Sequence, residues 1–260
     1  MTTIGTSSTT AQVDSYRFTT TLVNEAKLQG AKVLQGEVIG FSFDSENPKM
    51  INGVKLEDGR ILDCEYAVIA MGAWSASLNS WFKYEIPPNR DIDIELPITG
   101  SRAHSVIFQP PEQILADNPI SAHALFAKAI IKGSAKELEL YPRSNGHLYV
   151  CGEGDGVALP YSADLIKPNL TSTKNLIRFA QTLVPILSEY EIIREQACYL
   201  PYSETGSPII GHLPFFENLL VATGHSCWGM LNAPATGLSI AQLILTGRSS
   251  IVDLTPFGLE

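Results

Sequence analysis

Hydrophobic residues at helical spacing alternate with short apolar runs over the first 82 residues of this 260-residue chain. A first helix is predicted behind Asp14 or Ser15, either of which caps helices well, and it ends near Gly30. Its apolar face consists of Phe18, Leu22, Val23 and Ala26. Apolar runs at 32–34, 37–43 and 65–71 predict strands, and we expect the last one to be buried. A short helix is predicted over 74–82.

Turn signals divide the segment between these strands. Asn52-Gly53 and Asp58-Gly59 are favoured in tight turns, so 54–56 and 60–64 are predicted to form a hairpin-like pair. Pro87-Pro88 interrupts the chain and is interpreted as a domain boundary.

The middle of the chain changes to alternating apolar and polar residues. Alternation at 103–108, 122–126, 138–141 and 147–151 predicts an antiparallel sheet, and Asn145-Gly146 predicts a hairpin turn. A helix over 171–190 is predicted, with Pro185 kinking or splitting it. A strand follows at 195–200. The glycine cluster at 152–156 is interpreted as a turn, because no helix start follows it.

The stretch 219–247 combines an apolar run, a glycine-rich turn and a helical pattern. Residues 219–222 predict a buried strand, and Pro234 suits the first turn of the following helix, with Asn232 or Ala233 at its cap. Leu238, Ala241 and Leu245 share one helix face, Ile240 and Ile244 lie on a neighbouring one, and Gly247 ends the helix. Free N–H groups and the helix dipole would converge on an electron-rich ligand at such a helix start. A phosphate and the pyrimidine end of a flavin both fit this description; a packed strand-turn-helix without a ligand is the alternative.

Composition narrows the functional classes. Apolar residues make up 45% and charged residues 17% of the chain, and the net charge is -9, which is typical of a globular protein without a nucleic-acid groove. Cys64, Cys151, Cys198 and Cys227 form no CxxC pair, so no metal site is predicted and free thiols are expected. The chain has no apolar run of membrane-spanning length and no secretory signal, so we expect a cytoplasmic protein, with an organelle as the open alternative.

Three motifs, VATGHSCWGMLNAPATG at 221–237, YAVIAMGAWS at 66–75 and the segment 198–211, stand in the order found in one family. They resemble the D-amino-acid oxidase-like, FAD-dependent oxidoreductases, the group that contains glycine and sarcosine oxidases. VATGHSCWGMLNAPATG at 221–237 resembles the segment that closes over the flavin. YAVIAMGAWS at 66–75 resembles the strand and turn near the FAD pyrophosphate, and 198–211 resembles the segment leading into the flavin site. The resemblance runs over nearly the whole chain.

The resemblance implies a fold and a division into domains. It implies an α/β (α+β mixed) protein, with a partial FAD-binding Rossmann-like domain and an antiparallel-sheet substrate domain. We expect 1–86 to form the partial FAD-binding domain, 87–200 the substrate domain, and 201–260 the return to the FAD-binding domain. The family's GxGxxG unit, which carries the ADP half of FAD, is not found in these residues. The chain is therefore interpreted as a family member lacking its N-terminal portion.

The resemblance also implies that FAD is the cofactor and proposes residues that contact it. The implied cofactor contacts are Val38, Ala70, Gly72, Trp74, Cys198, Gly224, His225, Gly229 and Met230. His225 and Ser226 are the catalytic candidates, placed where they would reach the flavin or the substrate. For Val38 the alternative is a core strand valine, and for His225 it is a hydrogen-bonded structural histidine.

The substrate site is less well defined. Family members that oxidise amino acids commonly carry an arginine before the proline that corresponds to Pro201, because its planar fork binds a carboxylate, and this chain has Leu200 there. Arg102 and Arg143 are candidate substitutes, with solvated surface arginines as the alternative, and Tyr199 and Tyr202 are candidate pocket walls or core residues. In sarcosine oxidases the cysteine matching Cys198 is bonded covalently to the flavin; a small buried cysteine is the alternative.

The predicted function is FAD-dependent oxidation of a C–N bond in an amine, imino acid or amino acid. The alternative is a non-catalytic, truncated family member that acts as an interaction module or represents a gene-model fragment. The expected partner is a small-molecule substrate, with a protein partner possible.

Overall fold

Three β-sheets and five α-helices build the fold in the part of the chain that the computed structural model describes, residues 2–82, 94–117, 121–131 and 134–259. The mixed α/β class predicted from the sequence is confirmed. The helices are α1 (Ser15–Leu28), α2 (Leu78–Trp81), α3 (Glu112–Asp117), α4 (Leu170–Leu183) and α5 (Gly229–Thr246). The strands are β1 (Val38–Phe43), β2 (Ile51–Leu56), β3 (Ile61–Asp63), β4 (Ala67–Ile69), β5 (Ile98–Gln109), β6 (Leu125–Ile131), β7 (Ser134–Pro142), β8 (Leu148–Gly154), β9 (Glu191–Ser203), β10 (Ile209–His212) and β11 (Leu219–Thr223).

Helix α1 begins where its capping signal predicts. The Asp14 carboxylate accepts a hydrogen bond from the Arg17 N–H at 3.0 Å, which satisfies a free donor of the first turn. No residue of the helix is buried, and Leu22 of its apolar face is 49% exposed. The strand predicted at 32–34 is wrong. That segment is irregular and exposed, because no described strand lies beside it to pair with its backbone.

Strands β1, β2 and β3 form the predicted antiparallel meander. Asn218 joins this meander to the strand that follows it in space. Its side chain accepts from the Ile51 N–H at 3.0 Å and donates to the Ile51 carbonyl at 2.7 Å and to the Glu65 carbonyl at 2.6 Å. A single buried amide therefore fixes the position of the meander against the C-terminal part of the chain.

Strand β4 pairs in parallel with β11, and β10 pairs antiparallel on the other side of β11. The prediction of a buried strand over 65–71 was too long, because only Ala67–Ile69 is a strand and Val68 is 38% exposed on its open side. A 3₁₀ helix over Gly72–Ser77 and then α2 replace the single helix predicted at 74–82. Parallel pairing brings the carboxyl ends of β4 and β11 to the same edge of the sheet.

The five-stranded sheet has the order β6-β7-β8-β5-β9 and is antiparallel throughout. Helix α4 packs on one face of it around a core that consists of Val106, Phe108, Leu138, Leu140, Leu148, Val150, Leu176, Phe179, Ala180, Leu187 and Tyr190. The helix ends at Leu183 and a 3₁₀ helix begins at Pro185, so the predicted split by proline is confirmed. The turn interpretation of 152–156 was wrong for residues 152–154, which belong to strand β8, with a register shift against β5 at Gly152.

Helix α5 ends at Gly247, which adopts the left-handed conformation (φ 75°), as predicted. Its start differs from the prediction, because the helix begins at Gly229 and encloses Pro234. Ile240 of the helix packs with Ile210 and Leu220 of the sheet, whereas Leu245 on the other predicted face is 81% exposed.

The proposed domain boundary at Pro87-Pro88 lies outside the described residues, so the division at 86 and 200 stays a prediction. Among the described helices, none is both long enough and apolar enough to cross a membrane.

Candidate functional site

The turn between β11 and α5 is built on Gly224. Its φ of 81° lies in the left-handed region, and a Cβ there would meet Ile98 Cδ1 at 3.0 Å and the Ser203 Cβ at 3.2 Å. Only glycine fits without displacing these neighbours. Ser226, two residues later, has a φ of 52°, which is uncommon for a residue with a side chain. The backbone therefore reverses sharply before the helix begins.

Gly72 lies three residues after the end of β4, at the start of the 3₁₀ helix and beside this turn. Its φ is 56°, and a Cβ on Gly72 would meet no atom within 4 Å. Thr223 Oγ1 donates to the Gly72 carbonyl at 3.1 Å and lies 2.7 Å from Ser75 Oγ, so the two strand ends are joined by side chains. Ligands of parallel sheets bind outside the carboxyl ends of the strands. Gly72 thus leaves open space at the position where a ligand would approach the backbone.

The N-terminus of α5 begins next to the same turn. A 3₁₀ helix over Ser226–Trp228 leads directly into Gly229, the first α-helical residue. The prediction that Pro234 lies in the first turn was therefore wrong. Pro234 lies inside the helix, where it removes one backbone hydrogen bond. The first N–H groups belong to Gly229 and Met230, and Met230 is 39% exposed. The positive end of the helix dipole faces the turn.

His225 occupies the centre of this turn. Its Nε2 lies 2.9 Å from Thr236 Oγ1 on α5, and its backbone forms an isolated antiparallel bridge with Tyr202. Burial lowers the pKa of His225 from its ordinary 6.5, so the imidazole is neutral near pH 7. A neutral imidazole held at one nitrogen either accepts or donates a proton at the other. This arrangement is compatible with the predicted catalytic role and with the structural alternative.

Of the remaining predicted cofactor contacts, some lie beside the turn and others belong to another part of the fold. Ala70 is exposed directly after β4, and Trp74 follows in the 3₁₀ helix, where its Nε1 donates to the Pro160 carbonyl at 2.8 Å. Val38 begins β1 opposite Leu56 in the separate meander. The structure thus brings Ala70, Gly72 and Trp74 to the edge where Gly224 lies, while Val38 belongs to another sheet.

Arg102 is not the solvated surface residue that its alternative interpretation described. Its side chain is 11% exposed, and its fork donates to both carboxylate oxygens of Asp155, with Nε at 2.8 Å from Oδ1. Asn169 Nδ2 adds a third donor to Asp155 at 3.1 Å. The hydrogen bond from Arg102 lowers the pKa of Asp155 to about 2, and the Asp155 partner raises the pKa of Arg102. The guanidinium is thus already occupied by a carboxylate of the protein.

The two predicted pocket tyrosines differ in their surroundings. Tyr199 is 9% exposed and donates its hydroxyl to the Ala158 carbonyl at 2.8 Å, on the side of β9 that Arg102 also faces. Tyr202 is 43% exposed and adjoins His225. Tyr199 has the contacts of a core residue, whereas Tyr202 borders the turn.

Cys198 and Arg143 lie towards the side of the five-stranded sheet that α4 leaves uncovered. Cys198 is exposed, but partial burial of its sulfur raises the pKa of the thiol, which lowers the fraction of the reactive thiolate. The Arg143 guanidinium lies 5.1 Å from the centre of the Tyr149 ring. Covalent flavin attachment by Cys198 and carboxylate binding by Arg143 therefore stay predictions.

Sequence reasoning missed a group of polar residues on that same side. Glu139 and Tyr141 on β7 lie opposite Cys151 and Tyr149 on β8. The alternation at 138–141 and 147–151 was the available signal, because it places these four residues together on the face opposite the apolar core. Within the described ranges, no group of three or more His, Cys, Asp or Glu residues is arranged to hold a metal ion.

Comparison with known proteins identifies relatives. The family model described as FAD dependent oxidoreductase (DAO) matches residues 5–243. TDA3 of Saccharomyces cerevisiae is 30% identical over 97% of this chain and 51% of its own length, and glycine oxidase of Pseudomonas putida is 27% identical over 81% and 49%. The chain thus spans about half the length of these two curated relatives.

Solved structures share the fold. Glycine oxidase from Geobacillus kaustophilus superimposes with a TM-score of 0.70 at 24% identity, covering 93% of this chain and 56% of the other. Iminodiacetate oxidase from Chelativorans sp. superimposes with a TM-score of 0.73 at 15% identity, covering 95% and 58%. At sequence identities of 24% and 15%, this similarity shows a shared fold and nothing about the substrate.

Proposed function

The chain belongs to the DAO family of FAD-dependent oxidoreductases, and on that premise we propose that it oxidises a C–N bond of a small amine, imino acid or amino acid. One observation carries the proposal. The parallel strands β4 and β11 end side by side, and Gly72 and Gly224, which follow them, both have positive φ and lie near the N-terminal end of α5. This edge offers a close backbone approach and hydrogen-bond donors to a flat, electron-rich group.

FAD, the cofactor of the family, fits the residues present at this edge. The open space at Gly72 admits the group against the backbone, and the N–H groups of Gly229 and Met230 would stabilise negative charge on its ring. When bound, the flavin supplies the acceptor for the hydride that leaves the substrate. The candidate contacts are therefore Ala70, Gly72, Trp74, Gly224, Gly229 and Met230.

His225 and Tyr202 are proposed to act on the substrate side of this edge. His225 is held by Thr236 through Nε2 and is neutral near pH 7, so its second nitrogen can take part in a hydrogen bond with the substrate amine. Tyr202 is exposed beside it and would form a wall that limits access of water. Oxidation requires the neutral amine, and an unprotonated imidazole can accept the proton that an ammonium ion must first lose.

A flavin-retention experiment tests the proposal. The purified full chain is incubated with FAD, separated by gel filtration and examined by visible absorption. Retained flavin whose absorption band is bleached anaerobically by an amine would support an oxidase. A chain that folds but retains no flavin would overturn the proposal for this chain and favour the alternative, a non-catalytic interaction module.

A matched pair of glycine variants makes the test specific. Gly72→Leu fills the open space at the proposed flavin edge, whereas Gly59→Leu introduces a similar backbone strain (φ 86°) in the β2–β3 turn, where a Cβ also meets no atom within 4 Å. We expect Gly72→Leu to abolish flavin retention and Gly59→Leu to preserve it. Equal retention by both variants would place the flavin elsewhere.

A further inference from the structure

The face of the five-stranded sheet opposite α4 carries an unusual row of side chains. Leu138, Leu140, Leu148 and Val150 point into the core under α4. Their neighbours point the other way, because successive residues of a strand face opposite sides. Glu139 pairs with Cys151 and Tyr141 with Tyr149 across β7 and β8. We call these four residues, together with Phe126 beside Tyr141, the Glu139 face.

The Glu139 carboxylate is half-buried and bonded only to neutral groups among its described neighbours. Tyr141 Oη donates to its Oε2 at 2.6 Å, and the Cys151 thiol lies 3.7 Å from the same oxygen. The nearby lysines are engaged elsewhere, since Lys128 pairs with Glu137 and Lys136 with Glu153. In the described part of the chain, no lysine or arginine forms an ion pair with Glu139. Its negative charge is therefore available to a ligand.

Aromatic rings surround this charge. Phe126 meets Tyr141 edge to face at 5.7 Å, and the Tyr141 and Tyr149 rings lie 6.2 Å apart. Tyr149 already accepts one cation, the Arg143 guanidinium at 5.1 Å. Burial, as the main cause, raises the pKa of Tyr141 and raises that of Tyr149 to about 12, so both hydroxyls stay neutral. Neutral rings next to a carboxylate are the combination that binds organic ammonium ions.

The same face leads to the proposed flavin edge. Ser105 on β5 lies opposite Cys151, and Ala103, two residues earlier, lies opposite Cys198 on β9. Residues 198, 200 and 202 share one side of β9, and Tyr202 adjoins His225. A ligand on the Glu139 face would therefore lie on the side of the sheet that continues to the turn.

We propose that the Glu139 face binds an alkylammonium group, so that the substrate class is a cationic alkylamine rather than an amino acid held by its carboxylate. The proposal deepens the proposed function. Oxidation of the bound amine rests on that function, whereas binding of the ammonium group does not. The occupied guanidinium of Arg102 and the presence of Leu200 before Pro201 agree with it. A net charge of -9 would attract such a cation.

Calorimetric titration of the full chain with n-butylammonium chloride, without added flavin, tests the binding. Butan-1-ol and sodium butyrate serve as ligands of similar size with no charge or the opposite charge. We expect saturable binding of butylammonium alone. No binding of butylammonium, or equal binding of butanol or butyrate, would overturn the proposal whatever the variants do.

Two variants on one strand locate the site. Glu139→Gln removes the charge at nearly constant volume and should weaken butylammonium binding at least about tenfold, because a charge-assisted hydrogen bond is lost. Glu137→Gln removes an exposed charge two residues away on the same side of β7, in a surface ion pair, and should leave the affinity unchanged. Equal losses in both variants would reduce the effect to net charge and refute the assignment.

The two proposals fail separately. If flavin is not retained but butylammonium binds through Glu139, the proposed oxidase activity of this chain fails and the ammonium site stands. If flavin is retained and bleached by amines with equal efficiency in wild type and Glu139→Gln, the oxidase stands and the ammonium site is refuted.

Discussion

Replacing Asp155 by asparagine is expected to destabilise the fold substantially. Its carboxylate binds both ends of the Arg102 fork and the Asn169 amide, with only 9% of the side chain exposed. Lowering a carboxyl pKa from 3.8 to about 2 corresponds to roughly 2 kcal/mol of folding free energy, since each tenfold change in an acid constant is worth about 1.4 kcal/mol. Asp155→Asn also leaves the buried Arg102 without its anion, so we expect a loss of about 2–4 kcal/mol.

Urea unfolding followed by circular dichroism measures this loss. The matched control is Asp58→Asn, which removes the carboxylate of an exposed ion pair with Arg60, and we expect it to leave the urea midpoint nearly unchanged. The pH dependence has a definite sign. Because the folded pKa of Asp155 is lowered, its stabilisation is complete above about pH 4 and is lost as the pH falls towards about 2. An Asp155→Asn variant as stable as Asp58→Asn would refute the reasoning.

Three further changes address the turn. Gly224→Ala should lower the free energy of unfolding by about 1–3 kcal/mol in urea titration, because its Cβ meets Ile98 at 3.0 Å and its φ is 81°; an unchanged midpoint would contradict this. Thr223→Val removes the hydroxyl bound to the Gly72 carbonyl and should cost about 1–2 kcal/mol in the same assay, whereas a neutral effect would mean that this hydrogen bond contributes nothing. Since burial lowers the pKa of His225, stability should decrease as the pH falls below its ordinary 6.5, and His225→Gln should flatten that part of the profile of urea midpoint against pH; an identical slope would refute it.

Local signals predicted much of the fold. The Asp14 cap, the turn at Asp58-Gly59 and the break at Pro185 each act through neighbouring residues, so the sequence shows them directly. The turn predicted at Asn52-Gly53 was wrong, because both residues lie within β2, where Gly53 pairs with Ser42 on one side and Asp63 on the other. The start of α5 was misplaced, because Pro234 suggested a first turn while the backbone at Ser226 already reverses at a φ of 52°. The chain tolerates the missing hydrogen bond of Pro234 inside the helix.

Contacts between distant residues account for the remaining differences. Arg102 and Asp155 are 53 positions apart, and only the folded sheet brings them together. The sequence therefore suggested a substrate-binding arginine or a solvated one, and not an internal ion pair. The Glu139 face was missed for the same reason. Its residues meet across β7 and β8, and the register of these two strands cannot be read from neighbouring positions in the sequence. The glycines of the candidate flavin edge were recognised by their motifs, whereas the open space above Gly72 depends on the packing around it.

The parallel pairing of β4 with β11 has a consequence for how the protein is synthesised. Thr223, at the end of β11, is joined by a hydrogen bond to Gly72, just after β4, and the two residues are separated by 151 positions. A ribosome releases β4 long before its partner exists, and the whole antiparallel sheet emerges in between. Pairings between distant segments form slowly, because the loop between them must first be closed. The nascent chain therefore exposes the edge of β4 until β11 has been made, so this sheet forms only after the antiparallel sheet has emerged.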